Sequence, residues 1–363
     1  MAGCVAVSPS ARRKVRDTSE RSGAAGVVRI GDVVTLSKES APALQAANED
    51  LGHVVTVGGQ LADAMNAVIE GKPDVVLTAI TVLLAEGHLL IEDVPGVGKT
   101  MLAKTLARSI DASVRRVQFT PDLLPSDITG VSIYNQEQRE FEFRPGAVFA
   151  NVVVGDEINR ASPKAQSALL ECMEEAQVTV DGHTYELPHP FIIMATQNPV
   201  EMEGTYPLPE AQRDRFMARL SMGYPTAAAE VSMLDHHAAH SPLDDLRPVT
   251  DAAGIAQLIR AVRTVHASTA VRQYIVDIAA ATRTSSLIRL GASPRATLHL
   301  LRAGRSRAAL SGRDHVLPDD IQAIAPVVLA HRLLLSSEAQ LARRESLDIV
   351  TELVHRTRVP ASR

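Results

Sequence analysis

The chain has 363 residues, a length that gives about two domains and ample apolar material for a core. Its composition is 45% hydrophobic with no Trp, that of a soluble globular protein with an aliphatic interior, and a formal charge of −5 argues against a general nucleic-acid binder. Cys4 and Cys172 are too few for a disulfide framework or a Cys-rich zinc site, which points to a reducing cytoplasm.

Residues 1–55 read as an N-terminal tail; Arg12, Arg13, Lys14 and Arg16 are not followed by the apolar run of a secretory peptide. The apolar stretch 75–85 is well short of the roughly 20 residues that span a bilayer, and it predicts a buried helix. A strand is expected over His88-Leu89-Leu90-Ile91, then Glu92-Asp93-Val94-Pro95-Gly96-Val97-Gly98-Lys99-Thr100, then a helix opening at Met101. Strand, glycine-rich loop and helix in that order form a phosphate cradle. Backbone N–H groups around Gly96 and Gly98 can point at a polyphosphate, with the positive end of the helix dipole behind them. Lys99 then reaches the β- and γ-phosphates, and the Thr100 hydroxyl can ligate Mg²⁺. Pro95, Gly96, Val97, Gly98, Lys99, Thr100 and Met101 are thus the candidate nucleotide-binding run, although the general pattern wants glycine where this chain has Asp93.

The alternation in residues 130–134 and 139–146 predicts a β-hairpin. Asn151-Val152-Val153-Val154-Gly155 reads as a buried parallel strand ending in Asp156-Glu157, carboxylates that face the ligand crevice of an open α/β sheet. Asp156 is expected to hold the Mg²⁺ water shell and Glu157 to polarise the attacking water. Cys172 is expected on a packed helix as a small hydrophobe. Residues 177–187 predict a second hairpin with Asp181-Gly182 as its turn. A third strand, Phe191-Ile192-Ile193-Met194-Ala195, ends in Thr196-Gln197-Asn198-Pro199, where Asn198, or else Thr196, can hold the water from its other side.

Residues 252–266, 271–288, 294–310 and 318–335 carry apolar spacings of three and four and predict an all-helical second domain. Ser293-Pro294 is a helix start, and Arg295 projects from its first turn. His236 and His240 have metal-ligand spacing, but no acidic or Cys partner completes a site. Arg302, Arg305 and Arg307 read as a solvated or intersubunit face.

Asp156-Glu157-Ile158-Asn159-Arg160-Ala161, Ala195-Thr196-Gln197-Asn198-Pro199, the run from Glu203-Gly204-Thr205-Tyr206-Pro207 to Gln212, and Gly291-Ala292-Ser293-Pro294-Arg295-Ala296 resemble the MoxR family of AAA+ ATPases over about residues 60 to 335. The resemblance implies an α/β fold: an AAA+ P-loop NTPase core with a parallel sheet and two β-hairpin insertions over 56–224, an all-α lid over 226–340, and a C-terminal tail over 341–363. It implies an ATPase that uses ATP and Mg²⁺ and works as a homo-oligomer, a hexameric ring. Its roles are chaperone-like, on a protein client and with a von Willebrand factor A domain partner. By the same resemblance the segment with Gly71 wraps the adenine, and the hairpins touch substrate.

In that frame Lys99, Thr100, Asp156, Glu157, Asn198 and Arg295 come from one subunit, with Arg295 on the γ-phosphate. Arg215, or else Arg213 or Arg160, comes from the neighbour as an arginine finger. Two alternatives stay open: the ATPase subunit of a metal-chelatase-type complex, and a slow nucleotide-gated binding module with Asp93 as a sign of decay. A helicase is disfavoured by the mixed charge of the first hairpin, which carries Glu137, Arg139, Glu140, Glu142 and Arg144.

Overall fold

The computed structural model describes residues 40–198, 206, 208–227, 230–231 and 242–360, with backbone alone for 40–48. Residues 43–363 form one compact unit. The chain enters through α1, Ser40–Asn66, which buries Leu51, Val54, Leu61 and Met65 at helical spacing. Gly58 lies where a Cβ would meet Leu310 Cδ2 at 2.4 Å, so its bare backbone lets α1 close on the end of the helix Pro294–Leu310. The expected tail over 1–55 is corrected accordingly: residues 40–55 are helical, and the remainder of that segment lies outside the described residues.

Helix α2, Pro73–Leu84, is buried as expected and leads to β1, Leu89–Glu92. Next come α3, Lys99–Ser109; β2, Val114–Gln118; and α4, Pro125–Thr129. The first hairpin is β3, Gly130–Asn135, with β4, Glu140–Pro145. After β5, Val152–Asp156, and α5, Pro163–Glu175, the second hairpin pairs β6, Gln177–Val180, with β7, His183–Glu186. Asp181 and Gly182 both hold positive φ between those strands, at 51° and 79°, as a two-residue type I′ turn requires. The α/β part closes with β8, Ile192–Gln197; α6, Glu210–Arg213; and β9, Ala218–Leu220.

The main sheet has the order β2-β5-β8-β1-β9, all parallel. Side chains of a strand alternate between its faces, and here the alternation divides the interior in two. Leu89, Ile91, Val152, Val154, Ile192 and Met194 join the cluster that includes α2, α3 and the lid. Leu90, Val153, Ile193 and Ala195 join the one built on α5 and Phe119. Such strands are apolar on both faces, which is why they read as unbroken hydrophobic runs. The two hairpins stand outside this sheet as separate pairs, joined by Phe143 stacked on Tyr185 at 3.9 Å between ring centroids.

The lid consists of helices Ala252–Thr264, Thr269–Thr284, Pro294–Leu310 and Pro318–Leu329, followed by Ser337–Leu341 and Ser346–Arg356. Two of the expected helices stop early. Residues Ile288–Leu290 form β10 and pair antiparallel with β11, Leu334–Leu335, so the helical lid contains one small β ladder. The expected tail over 341–363 is corrected too, because Ile349, Val350 and Val354 are buried on the last helix. One apolar cluster runs from Ile91 through Leu258, Leu300 and Ile324 to Val350, so the α/β part and the lid share a core. Among the described residues no helix is long and apolar enough to cross a membrane.

Candidate active site

Parallel strands place all their C-terminal ends on one edge of the sheet, where ligands of open α/β folds bind. The phosphate loop leaves β1 on that edge. Gly96 and Gly98 adopt φ of +85° and +91°, a region that side-chain-bearing residues rarely enter, and Gly98 caps α3 directly before Lys99. Lys99 Nζ donates to the Asp93 carbonyl at 2.6 Å. Thr100, in the first turn of α3, brings its hydroxyl to 3.3 and 3.5 Å from the two carboxylate oxygens of Asp156.

Asp156 ends β5 and is buried. Its Oδ2 accepts from Arg116 Nε of the edge strand β2 at 2.6 Å, and its Oδ1 accepts from the Thr196 hydroxyl at 3.2 Å. Thr196, near the end of β8, also accepts the backbone N–H of Glu157 at 3.0 Å. Glu157 sits at φ 59°, ψ 48°, a left-handed conformation uncommon for a residue with a side chain and of the kind that accumulates at functional sites. Its Oε2 accepts from Gln118 Nε2 at 2.8 Å and lies 3.3 Å from Arg160 Nη1. The acidic pair is therefore held by groups from β2, β8 and the turn after β5. Asn198 is buried just past β8, whose last carbonyl, on Gln197, accepts the N–H of Asp93 at 3.2 Å.

Beside the loop lies a cavity of about 280 Å³ lined by Val68, Ile69, Glu70, Gly96, Val97 and Met222, among others. Gly71, at φ +72°, turns the chain between the lining residues Glu70 and Lys72. Lys72 Nζ donates to the Tyr224 carbonyl at 2.9 Å and so ties that turn to the segment following β9. Met101 lines the same space from α3. The cavity is continuous with the phosphate loop through Gly96, Val97 and Gly98, which line it.

The arginines fall into two places. Arg160 stays at the C-terminal edge against its own Glu157. Arg215 precedes β9 and pairs with Glu174 at 3.3 Å, near the end of α5, while Arg295 pairs with the other oxygen of that carboxylate. Both line a cavity with Gly87, His88 and Arg302, residues that precede β1 or belong to the lid. That is the N-terminal edge of the sheet, and the phosphate loop leaves the other end of β1, four residues or roughly 13 Å away along the strand. The expectation that Arg295 reaches the γ-phosphate within its own chain is corrected on this ground. Asp214, the residue before Arg215, accepts the Ser293 hydroxyl at 2.9 Å and faces Arg332 at 3.6 Å.

Gln118, Arg116, Glu174 and Arg332 escaped the sequence reading. A polar residue at the end of a strand beside β5 was the available signal for Gln118; the others depend on long-range packing. Pro199, Glu203, Gly204, Thr205 and Pro207, and His236, His237 and His240, lie outside the described residues. Among the described residues no group of His, Cys, Asp and Glu forms a metal cluster.

Residues 88–218 match the family described as "ATPase family associated with various cellular activities (AAA)", and residues 280–353 match the AAA lid domain. The chain is 50% identical over 305 residues to the uncharacterized protein YeaC of Bacillus subtilis, covering 84% of this chain and 95% of that one. It is 42% identical over 299 residues to Chaperone MoxR1 of Mycobacterium tuberculosis, covering 80% and 78%. A crystal structure of a candidate ATPase from Cytophaga hutchinsonii superposes with a TM-score of 0.81 at 36% identity, over 88% of this chain and 99% of that one.

Proposed function

Because the chain belongs to the MoxR family of AAA+ ATPases, we propose that it hydrolyses ATP at the interfaces of a ring, a hexamer, to remodel or mature a client protein. The observation that carries this reading is the convergence of Thr100, Asp156, Thr196 and Glu157 beside the phosphate loop. Positioning and charge neutralisation do nearly all the work of phosphoryl transfer, and each of these residues has such a task. Backbone N–H groups of the loop hold the phosphates, and the Lys99 ammonium leaves its resting contact on Asp93 to neutralise them. Thr100 and Asp156 would hold Mg²⁺, a hydroxyl and a buried carboxylate converging within 3.5 Å, and the ion, when bound, would supply charge neutralisation to the transferred phosphoryl group. Glu157 accepts the proton of the attacking water, and Thr196 fixes the backbone from which it projects. Asn198 orients the water from the end of β8.

Arg215 and Arg295 sit on the edge of the sheet away from their own loop, and both are matched to one carboxylate. That placement supports their delivery to the nucleotide of a neighbouring subunit, so turnover depends on assembly. The two hairpins, linked through Phe143 and Tyr185, form the client-facing element. A relative named as a chaperone supports the client role, and a von Willebrand factor A domain protein is the partner we expect. Phosphate release by the purified chain tests the reading. Glu157→Gln should bind ATP normally and lose turnover, and Lys99→Ala should lose binding. Turnover retained in Glu157→Gln would remove that residue from the mechanism.

A further inference from the structure

Position 93, where the general phosphate-loop pattern has glycine, carries a buried carboxylate with specific partners. Asp93 Oδ2 accepts the N–H of Gly223 at 2.6 Å and the hydroxyl of Ser221 at 3.0 Å, and Oδ1 accepts the N–H of Val94 at 2.8 Å. Its backbone N–H bonds the last carbonyl of β8, and its own carbonyl receives Lys99 Nζ. One residue thus joins the phosphate loop, the end of β8, the segment after β9 and the side chain of the cradle's lysine. Glycine would supply none of the three side-chain bonds. The segment it grips matters for the site, since Met222, Gly223 and Pro225 line the cavity that Val68, Ile69 and Gly96 bound from the other side.

A carboxylate beside a phosphate cradle is unfavourable unless its charge is spent locally. Burial pushes the Asp93 carboxyl up, and the hydrogen bonds from Gly223, Val94, Ser221 and Met222 outweigh it and hold the group below the ordinary range. The charge is retained and met by Val94 at the start of the loop and by Ser221 and Gly223 after β9. Hydrogen bonds to ionised acceptors are the stronger kind, so this is a firm brace.

We infer that Asp93 is a positioning residue for nucleotide binding: a strut that ties the phosphate loop to Ser221 and Gly223, the segment whose Met222 and Gly223 line the cavity. The inference rests on the reading of the loop as an ATP site. It makes Asp93 a working part of that site, against the alternative in which Asp93 is a sign of decay. Its effect belongs to binding, through preorganisation of the loop, and not to the hydrolytic step performed by Glu157.

The test is steady-state ATP turnover by the full chain, with parent, Asp93→Gly, Ser221→Ala and the double variant compared. Losing charge-assisted hydrogen bonds should raise KM about tenfold in Asp93→Gly, while kcat stays within about threefold of the parent. Ser221→Ala should raise KM by a smaller factor with an unchanged melting temperature, and that factor should vanish in the Asp93→Gly background because the two act through one contact. A KM for Asp93→Gly at or below the parent value overturns the strut. So does a Ser221→Ala effect that carries over in full to the double variant. Should Asp93→Gly fail to fold, Asp93→Asn serves in its place, since the amide keeps the shape and presents donors to donors. A parent that binds no ATP removes the ATPase reading and the strut with it; a parent that turns over, with KM insensitive at both positions, removes the strut alone.

Discussion

Ser293 Oγ lies 2.9 Å from each carboxylate oxygen of Asp214. Ser293 caps the lid helix that carries Arg295, and Asp214 immediately precedes Arg215, so this contact sets one arginine in register with the other. Glu174 completes the arrangement by pairing with both. If the pair serves a neighbour's nucleotide, Arg215→Ala and Arg295→Ala should each retain ATP binding and lose about 10³-fold or more in turnover. Neither should recover when the two variants are mixed with each other, because they damage the same side of an interface. Mixing either with Glu157→Gln should restore part of the activity, since some interfaces then join an intact Glu157 to an intact arginine pair. ATP turnover across mixing ratios, with assembly followed by light scattering, reads both outcomes. Absence of rescue in rings shown to be mixed would place the arginines within their own subunit.

The same node predicts an order of stabilities. Arg332 is buried at 4% exposure, donates to the Phe216 carbonyl and to His299 Nδ1 at 2.5 Å each, and faces Asp214. Burial lowers its pKa to about 10, against the opposing pull of Asp214. Removing Asp214 leaves a buried guanidinium short of its counter-charge, which costs about 3–5 kcal/mol. Replacing Arg332 with Met removes the charge itself along with its desolvation cost, so Arg332→Met should destabilise less than Asp214→Ala. Urea unfolding of the two variants decides, and the reverse order would mean that the ion pair is unimportant to the lid's seating.

The features legible in the sequence are those set by local chemistry. Gly96 and Gly98 announced the loop, Asp181-Gly182 announced a hairpin, and Ser293-Pro294 announced a helix start whose cap hydroxyl does accept the Ala296 N–H. The position of Asp156 and Glu157 followed from an apolar run that ends in acid. Periodicity failed where the chain turned without losing its apolar spacing. Leu287 and Ile288 continue the pattern of the helix that ends at Thr284, yet Ser285 is extended and the chain leaves for β10. The tail reading of 1–55 missed the start of α1, a helix held by burial of Leu51 and Val54 and by the close approach of Gly58 to Leu310, contacts far apart in sequence. The edge of the sheet on which Arg295 falls was not legible, because it depends on how the lid docks some 200 residues of chain away from β1, a non-local choice no window of sequence contains. Asp93 looked like a missing glycine until Ser221 and Gly223 were in view.

The two hairpins should behave as one element. Phe143 and Tyr185 stack with an interplanar angle of 12°, and aromatic pairs contribute about 0.5–1.5 kcal/mol beyond their buried area. Phe143→Ala and Tyr185→Ala should therefore show a coupling of about 1 kcal/mol in a double-mutant cycle. Phe141, 74% exposed and paired edge-on with Tyr134 inside its own hairpin, should show no coupling to Tyr185 when cut to Ala. Strictly additive costs at Phe143 and Tyr185 would make the hairpins independent.

Acid should weaken the fold through a histidine at the base of the sheet. His88 Nδ1 accepts the N–H of Ile193 at 3.0 Å, so its Nε2 must carry the proton that goes to the Met173 carbonyl, also at 3.0 Å. The ring is thus neutral, and burial holds its pKa down to about 4, with the Met173 bond opposing and Arg302 adding to the shift. Its folded pKa lies below the unfolded value of 6.5, so below pH 6.5 the unfolded chain binds a proton that the native one refuses. Stability is complete above that pH and is lost as pH falls from 6.5 toward 4. Between pH 6.5 and 5 the loss from this one group is about 2 kcal/mol. His299, lowered to about 2 mainly by burial and then by Arg332, and His331, lowered mainly by burial, act in the same direction. Replacing His88 by Gln offers an amide oxygen to Ile193 and an amide N–H to Met173 with no group to titrate. Urea unfolding of parent and His88→Gln at pH 7.5 and 5 isolates its share: the variant should lose about 2 kcal/mol less over that span. An equal loss in both would assign the acid sensitivity to His299 and His331 alone.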